Sequence, residues 1–394
     1  MIDETPDRFG RYLIDSELGR GAMGVVYRAL DPVLDRTVAV KTIALSTDPE
    51  ERERSEARFY QEAKAAGGLN HPAIITIHDV GREGGMVWMA MELLEGTELR
   101  HLLATESISV ERALDIVGQV ADALSYAHER GVVHRDIKPA NIMILRGGQV
   151  KIMDFGIARL WISDVKTQTG MLLGSPKYMS PEQAMGGTVD RRSDIFSLGI
   201  VLYEMLTGAP PFAGKDVTQL LYNVSTVVPP PPSVTNRAVP EMVDLVLAKA
   251  LAKDPADRYQ TAAELQADLL ACRYEVSQLA AVASNDATIR LDPPGAAADG
   301  SRTISGGNTL AGTDAAVRLP VSRRFDAAVA LAYLEHLAER TGMDDGSATL
   351  AARAATLART TRKRIDRVQR KTDALLLTGV VAVAAVIAFL IVYL

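Results

Sequence analysis

The 394-residue sequence contains a single cysteine, Cys272. One cysteine can form no internal disulfide and no multi-cysteine metal cluster, so the composition fits a reducing compartment and predicts a small buried side chain at this position. The sequence also lacks an excess of positive charge, since its formal net charge is −6. Surfaces that bind nucleic acid are normally rich in clustered Lys and Arg, so nucleic-acid binding is disfavoured.

A secretory signal is missing too, because the N-terminus is acidic and polar with no apolar stretch behind a basic start. The one long uncharged apolar run is the 21 residues from Ala374 to Leu394. At about 1.5 Å per helical residue it spans roughly 31 Å, the thickness of a bilayer core. We predict a transmembrane helix here rather than a buried core helix, because only Thr378 and Tyr393 carry polar groups and no later element follows to pack on it.

The flank of this apolar run predicts its orientation. Basic residues outnumber the single acidic residue, Asp366, and they are Arg362, Lys363, Arg364, Arg367, Arg370 and Lys371. Such a flank stays on the cytoplasmic side. We therefore expect a single-pass protein of the cell membrane with residues 1–373 in the cytoplasm, anchored by a helix that can also contribute a dimer contact.

Three further segments precede the anchor. Residues 9–270 alternate strand-like and helix-like patterns, first strand-rich and then strongly helical, as expected for an α+β protein of two lobes. Residues 283–320 are rich in Ala, Gly, Thr, Asp and Pro, and they predict a disordered linker. Residues 323–373 carry apolar side chains at helical spacing and predict a juxtamembrane helical segment.

The chemistry is concentrated in the middle of the chain. The run His134-Arg135-Asp136-Ile137-Lys138-Pro139-Ala140-Asn141 puts a base, a phosphate-binding cation and a metal ligand in one short loop. Thirteen residues after Asn141 comes Asp154, in Asp154-Phe155-Gly156. Two metal-binding side chains that flank a short hairpin are what phosphoryl transfer from a nucleotide needs.

Two upstream motifs fit the same chemistry. The glycine-rich run from Gly19 to Gly24 also occurs in dinucleotide-binding folds, but there it must open a helix, whereas here a β-prone stretch follows. A simple hairpin is the alternative to a phosphate-covering turn. Lys41 ends a buried-looking strand and needs an acidic partner, for which we predict Glu62 on the following helix; a surface glutamate is the alternative for that residue.

Taken in order, these motifs resemble a eukaryotic-type protein kinase domain over residues 9–270. The variants Lys138-Pro139-Ala140-Asn141 and Ser180-Pro181-Glu182-Gln183 are similar to those of the bacterial transmembrane serine/threonine kinases. The resemblance implies a bilobal fold that uses ATP and Mg²⁺ or Mn²⁺. It further implies that Asp136 orients the acceptor hydroxyl and takes its proton, that Lys138 touches the transferred phosphate, and that Asn141 and Asp154 hold the metal.

The resemblance also implies the nucleotide-binding set. Lys41 would hold the α and β phosphates, and Met91 falls at the gatekeeper position, although an ordinary core methionine is equally compatible. The implied nucleotide-binding residues are Leu18, Gly19, Gly21, Gly24, Val26, Ala39, Lys41, Glu92, Leu94 and Met143.

The resemblance implies serine/threonine specificity partly through Lys138, which in this family is typical of enzymes that act on aliphatic hydroxyls, and the substrate-facing segment 174–182 agrees. Two residues depart from the usual pattern, since Ser175 stands where threonine is usual and Ser180 where alanine often does. The resemblance further implies a buried ion pair between Glu182 and Arg258. Asp194 is expected to steady the backbone of the 134–141 loop.

Regulation is expected at Thr167 and Thr169, which resemble the family's autophosphorylation pair in the activation segment; exposed loop threonines are the alternative. A phosphothreonine there would offer an anion to Arg135. Confinement to a membrane favours phosphorylation of one copy by another, so we expect a homodimer. Threonines of the linker region, Thr288, Thr303 and Thr309, are either solvated residues or sites that recruit phosphothreonine-binding domains.

Two other classes of protein remain to be weighed. A catalytically inactive kinase-like scaffold would lack Lys41, Asp136, Asn141 or Asp154, and all four are present. A small-molecule phosphotransferase of related fold would lack the Ser-Pro-Glu sequence that closes the activation segment, which this chain has at residues 180–182. The sequence therefore favours a kinase that acts on Ser and Thr of protein substrates.

Overall fold

The computed structural model describes residues 6–21, 24–45, 48–155 and 176–289. Within them a strand-rich lobe precedes a helical lobe, which confirms the predicted α+β class. The predicted juxtamembrane segment and the apolar run 374–394 lie outside the described residues, as does the linker beyond residue 289. Within the part of the chain that the structure describes, no helix combines the length and the apolar character needed to cross a bilayer.

The N-terminal lobe is built on a six-stranded antiparallel sheet with the spatial order β1-β2-β3-β4-β6-β5. The strands are β1 (Arg8–Phe9), β2 (Tyr12–Gly21), β3 (Gly24–Asp31), β4 (Arg36–Ala44), β5 (Ile77–Glu83) and β6 (Met86–Glu92). Strands β4 and β6 are apolar on both faces because successive side chains enter two different core clusters. In β6, Met89 faces the cluster shared with helix α1 (Pro49–Gly67), while Trp88 packs against Tyr12 on the other face.

The C-terminal lobe surrounds one helix, α5 (Arg191–Thr207), which is buried along nearly its whole length. Apolar residues on all sides of a helix predict such a central position. Asp190 caps the start of the helix, where its carboxylate accepts the Arg192 N–H, and Gly208 caps the end in the left-handed region with φ 77°. The other helices are α2 (Leu99–Thr105), α3 (Val110–Glu129), α4 (Pro181–Met185), α6 (Val217–Thr226), α7 (Pro232–Thr235), α8 (Glu241–Ala250) and α9 (Ala262–Ile289).

A second, three-stranded antiparallel sheet has the spatial order β7-β8-β9. Its strands are β7 (Gly96–Glu98), β8 (Ile142–Leu145) and β9 (Val150–Ile152). Strand β8 follows the 134–141 loop directly, and β9 leads into Asp154. This small sheet therefore fixes both chemical motifs of the sequence on adjacent strands.

Helix α9 packs along α3, and it continues to Ile289, beyond residue 283 where the sequence predicts the linker to begin. The residues across that boundary are rich in alanine, which has the highest helix propensity, so the helix extends into the compositionally simple stretch. Cys272 lies on α9 and is buried, as predicted. Burial raises the pKa of its thiol to about 12, so the thiol stays protonated at neutral pH.

Candidate active site

The 134–141 loop is hydrogen-bonded to α5, the central helix of the C-terminal lobe. The backbone N–H groups of His134 and Arg135 donate to the two carboxylate oxygens of Asp194 at 2.8 and 2.7 Å. The ring Nε2 of His128, on α3, lies 2.8 Å from the same carboxylate. Asp194 is thus placed as predicted, whereas no sequence signal identified His128. Its role depends on a contact with a residue 66 positions away.

The ring of His134 joins the loop to the segment that follows β9. Its Nδ1 lies 3.2 Å from the Asp136 N–H and its Nε2 lies 2.9 Å from the carbonyl oxygen of Met153. Because Nδ1 must accept the amide hydrogen, the hydrogen-bond pattern assigns the ring proton to Nε2. The ring also packs edge-on against Phe155, with centroids 4.6 Å apart. One buried imidazole therefore connects the 134–141 loop with the segment that carries Asp154.

Asp136 is the centre of the polar cluster in this loop. Its Oδ2 accepts hydrogen bonds from Lys138 Nζ at 2.6 Å and from Asn141 Nδ2 at 3.0 Å. Asn141 Nδ2 also donates to the Asp136 carbonyl oxygen at 2.8 Å. The three predicted side chains of the loop are thus brought into direct contact, with one acceptor carboxylate held between a cation and an amide.

On strand β4 of the N-terminal lobe, Lys41 Nζ lies 2.6 Å from Oδ1 of Asp154. Burial by itself raises the pKa of Asp154, but the charge of Lys41 and its hydrogen bond outweigh burial and hold that pKa below its usual value. The carboxylate is therefore ionised at neutral pH. Glu62, the predicted partner of Lys41, belongs to α1, and its side chain lies outside the described residues.

Three of the predicted nucleotide-binding residues of the N-terminal lobe, Val26, Ala39 and Leu94, belong to one apolar cluster or pack against it. Val26 and Leu94 pack against Ala39 and Met91, which face each other across β4 and β6. Lys41 stands opposite Val26 in the β3–β4 register, at the edge of that cluster. Of the other predicted nucleotide-binding residues, Glu92 ends β6 in the N-terminal lobe, and Met143 lies on β8 of the three-stranded sheet. In the region between the two lobes, which we call the cleft, this apolar cluster lies beside the pair of Lys41 and Asp154.

The structure requires glycine at only one of the three predicted glycine positions, Gly24. A Cβ on Gly24 would come within 1.7 Å of the Thr42 carbonyl oxygen, and the residue has φ 145°, so close approach of two strands demands glycine there. A Cβ on Gly19 or Gly21 would meet nothing within 4 Å. Those two positions, with the half-exposed Leu18, leave open space beside the backbone of β2.

Below the cleft, helix α4 is tied to the 134–141 loop. Ser180 and Gln183 form a reciprocal capping box at the start of α4, and Gln183 Nε2 donates to the Arg135 carbonyl oxygen at 2.7 Å. The predicted ion pair of Glu182 and Arg258 is present, and the two side chains meet at 2.8 Å. Thr167, Thr169 and Ser175 lie outside the described residues.

The residues present fit a divalent cation bound together with phosphates. Asn141 and Asp154 supply an amide and an ionised carboxylate, and Mg²⁺ typically uses one or two protein carboxylates while nucleotide phosphates and waters complete its shell. In the described ranges no cluster of three or more His, Cys, Asp or Glu side chains forms a closed protein metal site. The donor set therefore matches a metal that arrives with a phosphorylated ligand.

Comparison with known proteins identifies the class. The family model of the protein kinase domain matches residues 12–270. This chain therefore belongs to the protein kinase family. Among its curated relatives are bacterial serine/threonine-protein kinases.

The serine/threonine-protein kinase PknB of Mycobacterium tuberculosis is 44% identical over 277 residues, which make up 68% of this chain and 44% of the relative. PrkC of Bacillus subtilis is 41% identical over 261 residues, which make up 66% of this chain and 40% of the relative. The chain thus spans less than half the length of these relatives. Among solved structures, the kinase domain of Mycobacterium tuberculosis PknI aligns with a TM-score of 0.54 and 31% identity, covering 67% of this chain and 96% of that domain.

Proposed function

We propose that the protein is an ATP-dependent protein kinase that transfers the γ-phosphate to Ser and Thr hydroxyls of protein substrates. The observation that carries this proposal is the contact of Asp136 with Lys138 and Asn141, opposite the pair of Lys41 and Asp154. These five side chains are the groups that a kinase needs as base, phosphate clamps and metal ligands.

Each residue has a distinct role in the proposed mechanism. The Asp136 carboxylate accepts the proton of the acceptor hydroxyl and orients its oxygen for in-line attack. Lys138 stabilises negative charge on the phosphate that moves, and Lys41 holds the α and β phosphates. Asn141 and Asp154 hold Mg²⁺ or Mn²⁺, which neutralises charge on the β and γ phosphates when it is bound with ATP.

The apolar cleft accounts for adenine binding in this proposal. Val26, Ala39 and Met143 contact the faces of the base, while the backbone of Glu92 and Leu94 hydrogen-bonds its edge. Leu18, Gly19 and Gly21 cover the nucleotide from above, where the backbone is open to phosphate oxygens. Glu62 pairs with Lys41 in the active arrangement, in exchange for the contact with Asp154.

The test is a comparison of the full chain, in mild detergent, with its Asp136→Asn variant. Both are incubated with ATP and Mg²⁺ or Mn²⁺, and phosphate is mapped by mass spectrometry. Phosphate on Ser or Thr only in the unmutated chain supports the proposal. Equal ATP binding in both proteins, with no phosphate in either, supports a nucleotide-binding scaffold instead.

We further propose activation by autophosphorylation of Thr167 and Thr169, carried out by one copy on another within a homodimer. Each phosphothreonine adds roughly −1.5 to −2 charges, and the 134–141 loop offers Arg135 as a cation adjacent to Asp136. Replacement of both threonines by alanine is expected to lower activity strongly. Unchanged kinetics after phosphatase treatment of the wild type would contradict this regulation.

The apolar run 374–394 is proposed to anchor the kinase in the cell membrane with the catalytic domain in the cytoplasm. Its length and its basic flank support this location. The test is membrane fractionation of the chain with and without residues 374–394. The full chain should be found in the membrane pellet, and the chain that lacks residues 374–394 in the soluble fraction. Phosphorylated Thr288, Thr303 or Thr309 would then present a phosphothreonine-binding partner with a site near the membrane.

A further inference from the structure

Glu92 and Lys151 form a part-buried ion pair at the end of strand β6. Lys151 Nζ lies 2.6 Å from Glu92 Oε1, and the two side chains are 10% and 27% exposed respectively. The residues are 59 positions apart in sequence, and Lys151 belongs to no motif that carries the chemistry described above. A lysine this deeply buried is uncommon and requires a paired, hydrogen-bonded setting.

The setting is provided by the backbone between α1 and β5. Thr76 and Glu92 exchange two hydrogen bonds: the Thr76 N–H donates to Glu92 Oε1 at 2.7 Å, and the Glu92 N–H donates to the Thr76 carbonyl oxygen at 2.9 Å. Lys151 Nζ also donates to the Ile74 carbonyl oxygen at 3.1 Å. The Glu92 carboxylate and the Lys151 ammonium therefore bind each other, and both also bind the backbone of the same short segment, residues 74–76.

This segment also pairs with β9. The Ile152 N–H donates to the Ala73 carbonyl oxygen at 2.8 Å, and the Ile75 N–H donates to the Ile152 carbonyl oxygen at 3.0 Å. One residue further, the Met153 N–H donates to the Asn141 carbonyl oxygen at 2.9 Å. A continuous set of short contacts thus runs from the end of β6, through Lys151, to the two proposed metal ligands.

We propose that Lys151 is a positioning residue that fixes the proposed adenine-binding backbone of Glu92 in register with the strand that presents Asp154. The inference rests on the proposed function, because it assigns the pair a role in nucleotide binding. In this arrangement, the position of the adenine ring and the position of the metal ligand are set by one junction rather than independently. Both ends of the nucleotide are held to a single rigid spacing.

Removal of the Lys151 ammonium should weaken both adenine binding and metal-dependent phosphate binding. Lys151→Met leaves the Glu92 carboxylate with the Thr76 N–H and leaves the Ile74 carbonyl oxygen without its lysine donor. Part-buried polar groups that lose a partner draw in water or shift, so the backbone at both positions is released. Loss at only one end would point to a local structural role.

The experiment measures binding by calorimetry with the full chain in detergent, using adenosine alone and a non-hydrolysable ATP analogue with and without Mg²⁺. For Lys151→Met we expect about fivefold weaker adenosine binding and, separately, about a fivefold smaller gain in analogue affinity on adding Mg²⁺. The matched control is Arg192→Met, which removes another part-buried cation, paired at 2.7 Å with Asp190 in the lower lobe. It should change neither quantity.

Two further variants separate positioning from general loss of stability. Lys151→Arg keeps the charge and should recover most of both losses. Glu92→Gln combined with Lys151→Met should bind no worse than Lys151→Met alone, because both substitutions remove the same junction. An unchanged Mg²⁺ gain in Lys151→Met overturns the proposal. Absence of any nucleotide binding in the unmutated chain overturns the proposed function itself, so the two failures are distinguishable.

Discussion

Arg258 and Glu182 form a two-point ion pair inside the helical lobe: Nη1 and Nη2 donate to the two carboxylate oxygens at 2.8 and 2.9 Å. The guanidinium is fully buried, and it also donates to the carbonyl oxygens of Ala252 and Lys253. Burial raises the pKa of Glu182, but hydrogen bonds from Arg258 and Ser193 outweigh it and hold the pKa below its usual value. The pair therefore joins α4, α5 and the segment before α9.

Arg258→Met should destabilise the helical lobe by about 3 to 5 kcal/mol, because it leaves the Glu182 carboxylate buried without its cation. Urea denaturation of the full chain would measure the loss. The double variant Arg258→Met with Glu182→Gln should recover part of it, since the uncompensated charge is gone. A loss below about 1 kcal/mol in the single variant would mean that water reaches the carboxylate.

Lys41→Met should make metal-dependent nucleotide binding more sensitive to acid. Lys41 lowers the pKa of Asp154, so its removal raises that pKa, and the carboxylate becomes protonated at a higher pH as the solution is acidified. Isothermal titration of the ATP analogue with Mg²⁺ between pH 5 and 8 should show the acid limb of affinity displaced upward. An acid limb at the same pH in both proteins would exclude Asp154 as the titrating group.

Gly24→Ala and Gly21→Ala should separate packing from nucleotide contact. The first adds a methyl group against the Thr42 carbonyl oxygen, and it should lower the free energy of unfolding by about 2 kcal/mol or more. The second enters open space, and it should change stability by less than about 1 kcal/mol while it raises the KM for ATP. Thermal melting and ATP kinetics on the same preparations measure the two effects. Equal melting temperatures for both variants would contradict the assigned difference.

Asp244→Asn should reveal a pH-dependent stability. Burial raises the pKa of Asp244 from 3.8 to about 6, although Ser233 donates to its carboxylate through both N–H and Oγ–H. A raised folded-state pKa gives stability that is present at pH below about 4 and is lost as the pH rises to about 6. The shift corresponds to at most about 3 kcal/mol.

The measurement is urea denaturation of the wild type and Asp244→Asn from pH 4 to 8. Relative to the variant, the wild type should lose stability between pH 4 and 6 and then remain level. Asp257→Asn, at an exposed position, is the matched control and should show no such difference. A constant difference between the wild type and Asp244→Asn over the whole range would place the charge of Asp244 in contact with solvent.

Sequence reasoning located the contacts that lie within one motif, but between distant residues it located only those that the family resemblance implied, such as the ion pair of Glu182 and Arg258. The loop from His134 to Asn141 is short, so its polar side chains were expected to lie close together, as they do. The spacing from Asn141 to Asp154 is typical of phosphoryl transfer. The contact of Lys41 with Asp154 and that of His128 with Asp194 connect residues 113 and 66 positions apart. A single charged residue has no periodicity, so nothing in the sequence selects its partner.

The end of helix α9 could not be read from the sequence, for a different reason. The low complexity of the region around residue 283 predicted a linker, but the same alanine content stabilises helix, and α9 continues to Ile289. The glycine-rich turn was assigned to phosphate contact as a whole. Only the structure distinguishes Gly24, which is required by the neighbouring strand, from Gly19 and Gly21.

The attachment of the 134–141 loop to Asp194 has a consequence for local dynamics. The amide hydrogens of His134 and Arg135 end on a carboxylate of the most deeply buried helix, so they cannot reach solvent by fraying of the loop alone. Their exchange with deuterium requires the opening of the helical lobe. An irregular loop at the surface of a cleft thereby belongs to the same cooperative folding unit as the core beneath it.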